Sequence, residues 1–141
     1  MFMEDVKSIR IALAGALGGL LAQLFGGWDA ALLTLMVFMG LDYASGLVVA
    51  GVFGKSKKSQ NGALESRAGF KGLCRKGAIL GVVLMAHRLD VSAGTGFIRD
   101  AAVIGFTVNE ALSIIENAGL MGVPIPGALI KAVDVLKGKS A

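Results

Sequence analysis

Residues 30–53 read AALLTLMVFMGLDYASGLVVAGVF and contain a single charged residue, Asp42. A run this long and apolar predicts a helix that crosses a membrane, because about 20 mainly apolar residues span the hydrocarbon core. Residues 11–28 carry no charge and predict an earlier span that stays in the mature protein. The break around residues 26–29 then predicts that the two spans form a helical hairpin.

The composition of the whole chain also favours a membrane protein. Of its 141 residues, 55% are hydrophobic and 17% are charged. The mean hydropathy is +0.72. The 21 glycines in so apolar a chain favour close packing between membrane helices. Because no linker-like segment interrupts the sequence, we expect one membrane domain over residues 1–141.

The second half of the chain predicts further helices around a basic loop. Residues 54–72 are rich in Lys and Arg and predict a cytoplasmic loop. Spans are expected at about 73–89 and 98–117, followed by an amphipathic helix at 126–137 that lies on the membrane surface. The predicted fold is an all-α integral membrane protein with about four transmembrane helices plus a short C-terminal amphipathic helix.

The distribution of basic residues predicts the orientation. If both termini are cytoplasmic, every Lys and Arg except Arg88 and Arg99 lies in a cytoplasmic segment. The pI near 9.5 indicates anionic lipid rather than nucleic acid as the partner, because the basic residues flank apolar runs. Those expected to face lipid are Lys55, Lys57, Lys58, Arg67, Lys71, Arg75 and Lys76.

Asp42 is the first candidate for function, since an ionised side chain inside a membrane is costly without a partner or water. It heads a stripe of small residues that lets two helix backbones approach closely, within the chain or between copies. The stripe continues through Gly46, Ala50 and Gly54, and Gly15 and Gly19 repeat the pattern in the first span. A structural role also remains open, in which Asp42 bonds to Tyr43 or Ser45 or pairs with an Arg or Lys.

The fourth span carries the second candidate site. Its polar residues fall within one sector of the helix, so they are expected to meet a partner helix or line a wet passage. They are Asn109, Glu110, Ser113, Glu116 and Asn117. Glu110 is the stronger candidate for contact with water, whereas Glu116 and Asn117 could simply lie at the interface.

The remaining chemistry-bearing residues predict neither catalysis nor a metal site, and no cofactor is expected. The single cysteine, Cys74, excludes an intramolecular disulfide. His87 lies beside Arg88 and Asp90 without a second His or Cys at ligand spacing. We interpret these three residues as a polar cluster at the membrane boundary.

The order of features over residues 40–127, about two-thirds of the chain, resembles the holin family of phage lysis and toxin secretion. The matching segments are Asp42-Tyr43-Ala44-Ser45-Gly46 with Ala50, residues 66–72, Arg75-Lys76, residues 86–90, Asn109-Glu110, residues 113–117 and residues 122–126. The chain departs from the pattern at Gln60-Asn61-Gly62 and at Arg99-Asp100.

The resemblance implies a homo-oligomeric protein of the bacterial cytoplasmic membrane. Such a protein opens lesions that release an endolysin or a large toxin as cargo, without enzymatic activity of its own. Two other readings of the residues remain open. One is a small ion or solute transporter that uses Asp42 and Glu110, and the other is a non-conducting membrane scaffold or anti-holin.

Overall fold

A computed structural model describes residues 1–138, and these fold into five helices without a β-strand. The helices are α1 (Phe2–Phe25), α2 (Ala30–Gly51), α3 (Ser66–Ala93), α4 (Ile98–Leu120) and α5 (Gly127–Leu136). The all-α prediction is therefore confirmed for this part of the chain. Of the helices described, α1 and α2 are long and apolar enough to cross a membrane. At 1.5 Å per residue they measure about 36 Å and 33 Å.

Local chemistry determines where the first two helices end and begin. α1 stops at Gly26, whose φ of 82° is readily adopted by glycine. Asp29 is the N-cap of α2, and its Oδ1 accepts a hydrogen bond from the Leu32 amide at 2.9 Å. Residues 26–29 therefore form a tight turn with defined caps on both sides.

α4 lies at the centre of the bundle and packs on α2, α3 and α5. The apolar core fills the half of the bundle nearest the turns at 26–29 and 94–97, which we call the turn end. The opposite end, where residues 52–65 connect α2 to α3, is called the loop end. The buried core side chains are Leu32, Leu35, Met39, Val83 and Val103.

The first two helices do not pack on each other as the predicted helical hairpin would. Within residues 1–138, α1 packs on α3 and makes no helix contact with α2. The reason is that the buried face of α2 is occupied by α4. α1 itself contributes no buried residue, so its apolar surface is open to a membrane or to another copy of the chain.

The third helix is longer than the sequence indicated. It begins at Ser66, not near residue 73, so the segment between α2 and α3 is shorter than the predicted loop 54–72. Lys71, Arg75 and Lys76 consequently belong to α3.

The C-terminal helix packs partly against α4, which the sequence did not predict, and its expected position on the membrane surface stays a prediction. Val133 is buried, and Leu136 and Lys137 line a groove together with Gly105 and Asn109 of α4. α5 therefore folds back beside α4. This arrangement buries part of the apolar face of α5 against protein.

Candidate functional site

Three charged side chains from three different helices meet inside the bundle. The Nζ of Lys76 donates to Asp42 Oδ2 at 2.7 Å and to Glu110 Oε2 at 2.7 Å. The side chains of Asp42, Lys76 and Glu110 are 7%, 14% and 8% exposed. We call these three residues the charge triad. It joins α2, α3 and α4 through one ammonium group.

An amide extends the triad toward the loop end. Asn117 Nδ2 lies 3.2 Å from Asp42 Oδ1 and 2.8 Å from Ser45 Oγ, and donates to both. It also lies 3.3 Å from the Asp42 carbonyl oxygen. Both carboxylate oxygens of Asp42 thus have a donor, one from Lys76 and one from Asn117. Satisfying the polar atoms in this way is what makes a buried carboxylate tolerable.

Helical periodicity explains why these residues converge. In α4, Val103, Glu110 and Asn117 recur every seven residues and share one buried face. In α3, Lys76 stands seven residues before the buried Val83 and fourteen before the buried Asp90. Glu110 and Lys76 therefore lie on the same faces of α4 and α3 as buried apolar residues, and these faces meet in the bundle at the level of Asp42.

A cavity of about 340 Å³ leads from the triad to the loop end. Asp42, Lys76 and Glu110 form its deep wall, and the connecting segment supplies the outer wall with Ser56, Lys57, Lys58 and Ser59. Polar groups in such a space attract water. The arrangement can hold charge deep between helices while leaving it reachable from one end.

The five polar residues predicted to share one face of the fourth helix differ in how far they are buried. Glu110 and Asn117 are buried, and Ser113 is half-buried and lines the cavity. Asn109 is exposed and borders both this cavity and the groove beside α5. Glu116 is also exposed, and its Oε1 lies 3.6 Å from Lys57 Nζ of the connecting segment.

The small-residue positions likewise fall into different groups. A Cβ added at Gly46 would lie 3.8 Å from Asn117, and Ala50 is buried, so both positions face the interior of the bundle. A Cβ at Gly15 or Gly19 would meet nothing within 4 Å. Gly54 lies beyond the end of α2 with a φ of 60°, and the proposed helix-packing role of Gly54 is therefore wrong.

Lys76 is the main correction to the predicted site. The sequence grouped it with the lipid-facing basic residues, but it is buried between two carboxylates. Its spacing to Val83 and Asp90 on one face of α3 was the signal that could have identified it. Of the other basic residues in that group, Lys55, Lys57, Lys58, Lys71 and Arg75 are exposed. Arg67 is exposed as well.

A second charged cluster, which the sequence analysis missed, closes the turn end. Arg99 is buried, and its guanidinium donates to both carboxylate oxygens of Asp29 at 2.8 and 3.2 Å. It also donates to the carbonyl oxygens of Phe25 and Gly27. The hydrogen bond from Arg99, together with the one from the Leu32 amide, holds the pKa of Asp29 below its ordinary value of 3.8.

Asp90 completes this cluster. Its carboxylate accepts hydrogen bonds from the amides of Ile98 and Arg99 and from the Thr95 hydroxyl, at 3.0, 2.8 and 2.6 Å. The first amides of α4 thereby find a partner on α3, which replaces a local N-cap. The predicted boundary cluster around His87 is thus part of a structural clamp. His87 itself lies against Gly26.

In the described part of the chain, no group of three or more His, Cys, Asp or Glu side chains could hold a metal ion. The fold and site define an all-helical protein with two helices able to cross a membrane and an internal cluster of paired charges. A comparison with known families identifies the class. The sequence model of the bacteriophage holin family matches residues 19–138, and this chain belongs to that family.

Several relatives share most of the chain. An "Uncharacterized 14.9 kDa protein in nagH 3'region" of Clostridium perfringens is 40% identical over 126 residues, which cover 88% of this chain and 89% of the relative. An uncharacterized protein of Halalkalibacterium halodurans is 39% identical over 131 residues, covering 89% and 91%. A "Probable holin" of Bacillus phage phi105 is 30% identical over 118 residues, covering 82% and 80%. No solved structure matches the chain.

Membership of the holin family and the two apolar helices both indicate association with a membrane. Holins are typically non-enzymatic membrane proteins.

Proposed function

We propose that this chain is a holin: it accumulates in the bacterial cytoplasmic membrane, self-associates, and opens lesions that release an endolysin or a large secreted protein. The observation that carries the proposal is the charge triad, which buries Asp42, Lys76 and Glu110 between helices that would otherwise lie in lipid. Buried ion pairs contribute little net stability, so their placement is better explained by a switch than by strengthening of the fold.

Four spans are proposed, α1 to α4, with both termini in the cytoplasm. Lys76 of α3 and Glu110 of α4 do not oppose this topology, because they pair with each other and with Asp42 inside the bundle. On this topology the loop end faces the cytoplasm. The basic residues exposed there, among them Lys55, Lys57 and Lys58, would contact anionic lipid.

Self-association is proposed to use α1. The helix has no buried residue, and the space around Gly15, Gly18 and Gly19 is empty in the single chain. Small residues permit a second helix to approach closely in a membrane. By contrast, Gly46 and Ala50 are occupied by contacts within the chain and are not assigned to the interface between copies.

Opening is proposed to expose the polar face of α4. In the closed bundle Glu110 and Asn117 are bonded to α3 and α2. If the helices separate, water can solvate these groups, which offsets much of the free energy lost with the ion pairs. The same side chains would then line an aqueous lesion. The cargo needs no binding site on the protein, and no enzymatic step is involved.

Controlled expression in a bacterium tests the proposal. Growth and optical density should be followed with and without a co-expressed endolysin that lacks its own export signal. We expect growth to stop abruptly after a delay, and cells to lyse when the endolysin is present. Continued growth with a gradual change in ion flux would instead indicate a transporter that uses Asp42 and Glu110. Continued growth without flux would indicate a scaffold or an anti-holin.

Glu110→Gln tests the role of the triad in the same assay. The substitution retains the Lys76–Asp42 pair and removes a negative charge from the interior, so we expect later onset of growth arrest at equal membrane accumulation. Glu116→Gln is the matched control, since Glu116 is exposed on the same helix. Unchanged timing in Glu110→Gln would contradict the proposed opening mechanism.

A further inference from the structure

The charge triad contains one negative charge too many. With Asp42, Lys76 and Glu110 all ionised, two carboxylates face one ammonium group at 2.7 Å each. The net charge of the triad would be −1 in the interior of the bundle. An uncompensated charge in such a place is costly, and a buried group commonly responds by becoming neutral.

The hydrogen bonds distinguish the two carboxylates. Asp42 uses both oxygens, Oδ2 for Lys76 and Oδ1 for Asn117. Glu110 uses Oε2 for Lys76, and no residue among 1–138 donates to its Oε1. Asp42 is therefore well satisfied as an anion, whereas Glu110 keeps one oxygen available.

The available oxygen belongs to a side chain that lines the cavity open toward the loop end. The charged and titratable groups that face Glu110 or line that cavity come from α2, the connecting segment, α3 and α4. They are Asp42 and Tyr43 on α2, Lys57, Lys58 and Glu65 on the connecting segment, Arg75 and Lys76 on α3, and Glu116 on α4. Lys57 and Glu116 pair with each other near the mouth, at 3.6 Å. A proton can therefore reach Glu110 through a polar space instead of through lipid.

We propose that Glu110 is a proton-binding site supplied from the loop end, and that the closed bundle holds one proton there. The proton binds to Glu110 Oε1, and the triad becomes neutral overall while the Lys76–Asp42 pair remains ionised. Loss of this proton restores the charge of −1 and favours separation of the helices. The last step rests on the proposed holin function, whereas the proton site itself does not.

Infrared difference spectroscopy on the purified full-length chain in lipid vesicles tests the site. A protonated buried carboxylic acid has a carbonyl band distinct from that of a carboxylate. We expect this band in the wild-type protein at neutral pH and its loss as the pH is raised. Glutamate carrying a heavy-isotope carboxyl carbon should shift the band, which would assign it to Glu without any substitution.

Two variants complete the assignment. Glu110→Gln should lack the band, and Glu116→Gln should retain it. Absence of the band in the wild type would overturn the proposal, as would persistence of the band in Glu110→Gln or its insensitivity to labelled glutamate. If the band is present but expression causes no lysis, the proton site stands and the holin function fails. If lysis occurs without the band, the reverse holds.

Discussion

Replacing Lys76 by methionine gives a direct prediction from the charge triad. Methionine has a similar length and is compatible with a helix, so the change mainly removes the ammonium group. Asp42 and Glu110 would lose the cation that they share at 2.7 Å. The closed bundle would then contain the facing carboxyl groups of Asp42 and Glu110 without a neutralising cation.

The size of the effect follows from burial. Removing one partner of a buried ion pair costs about 3–5 kcal/mol, because the remaining charge is left uncompensated. Binding of a proton by one carboxylate would lower this value, so we take the lower end, about 3 kcal/mol. That corresponds to roughly a hundredfold shift of the equilibrium away from the closed bundle.

The assay measures two quantities on matched variants. Thermal unfolding of the purified protein in detergent reports stability, and the time to growth arrest after induction reports opening. Lys76→Met should unfold at lower temperature and trigger earlier than the wild type. Lys71→Met is the control, since Lys71 is exposed on the same helix, and it should stay within about 0.5 kcal/mol of the wild type. Equal behaviour of the two variants would refute the triad as a closing contact.

Three further predictions concern the caps, the amide and the turn end. Gly26→Ala should destabilise the protein by about 1–2 kcal/mol or more in the melting assay, because a φ of 82° is unfavourable for alanine and its Cβ would lie 2.6 Å from the His87 ring. Gly77→Ala is the control and should be neutral or stabilising, since an added Cβ inside α3 would meet no atom within 4 Å. Asn117→Ala should lower the free energy of unfolding by about 1–3 kcal/mol in chemical denaturation, since Asp42 and Ser45 lose their hydrogen-bond donor. Asn109→Ala is the control and should change this free energy little, because Asn109 is exposed. Because the hydrogen bond from Arg99 lowers the pKa of Asp29, the stability from this pair is fully present above pH 3.8 and is lost as the pH falls through the folded-state pKa. The loss is expected to be about 1 kcal/mol or less, since the Asp29 side chain is 48% exposed. Asp29→Asn should abolish this acid dependence of the free energy of unfolding.

Much of the helical architecture could be predicted from hydrophobic runs and breaks. The charge-free run in α1, the single charge in α2 and the turn residues around Gly26 indicate helices that the structure contains. Asp42 and Glu110 stood out for the same reason, since charges are rare in apolar helices. These features depend on short stretches of chain, which a single sequence displays directly.

Lys76 could not be assigned in the same way because its role depends on two other helices. In sequence it follows Arg75 and continues a basic segment, so the local pattern favoured lipid contact. Only when α3 begins at Ser66 does Lys76 lie well inside the helix, on the face of Val83. The first turns of α3 also contact another helix, since the Tyr43 hydroxyl of α2 donates to the Gly69 carbonyl oxygen at 3.4 Å.

The clamp at the turn end illustrates the same limit over a longer distance. Arg99 and Asp29 are 70 residues apart and come together at 2.8 Å. In the sequence both lie near predicted helix ends, where charged side chains commonly face solvent. The packing of α2 on α4 brings the first turn, which holds the N-cap of α2, beside the start of α4. No local periodicity encodes that packing.

The most direct test of the account is the size of the lesion formed by the purified chain. Liposomes of anionic lipid can be loaded with a small dye and with a folded fluorescent protein, and the release of both followed as the amount of reconstituted chain is raised. We predict abrupt release of both markers above a threshold amount, with a higher threshold for Glu110→Gln. Release of the dye alone, in proportion to the amount of chain, would contradict a holin and indicate a narrow channel or transporter.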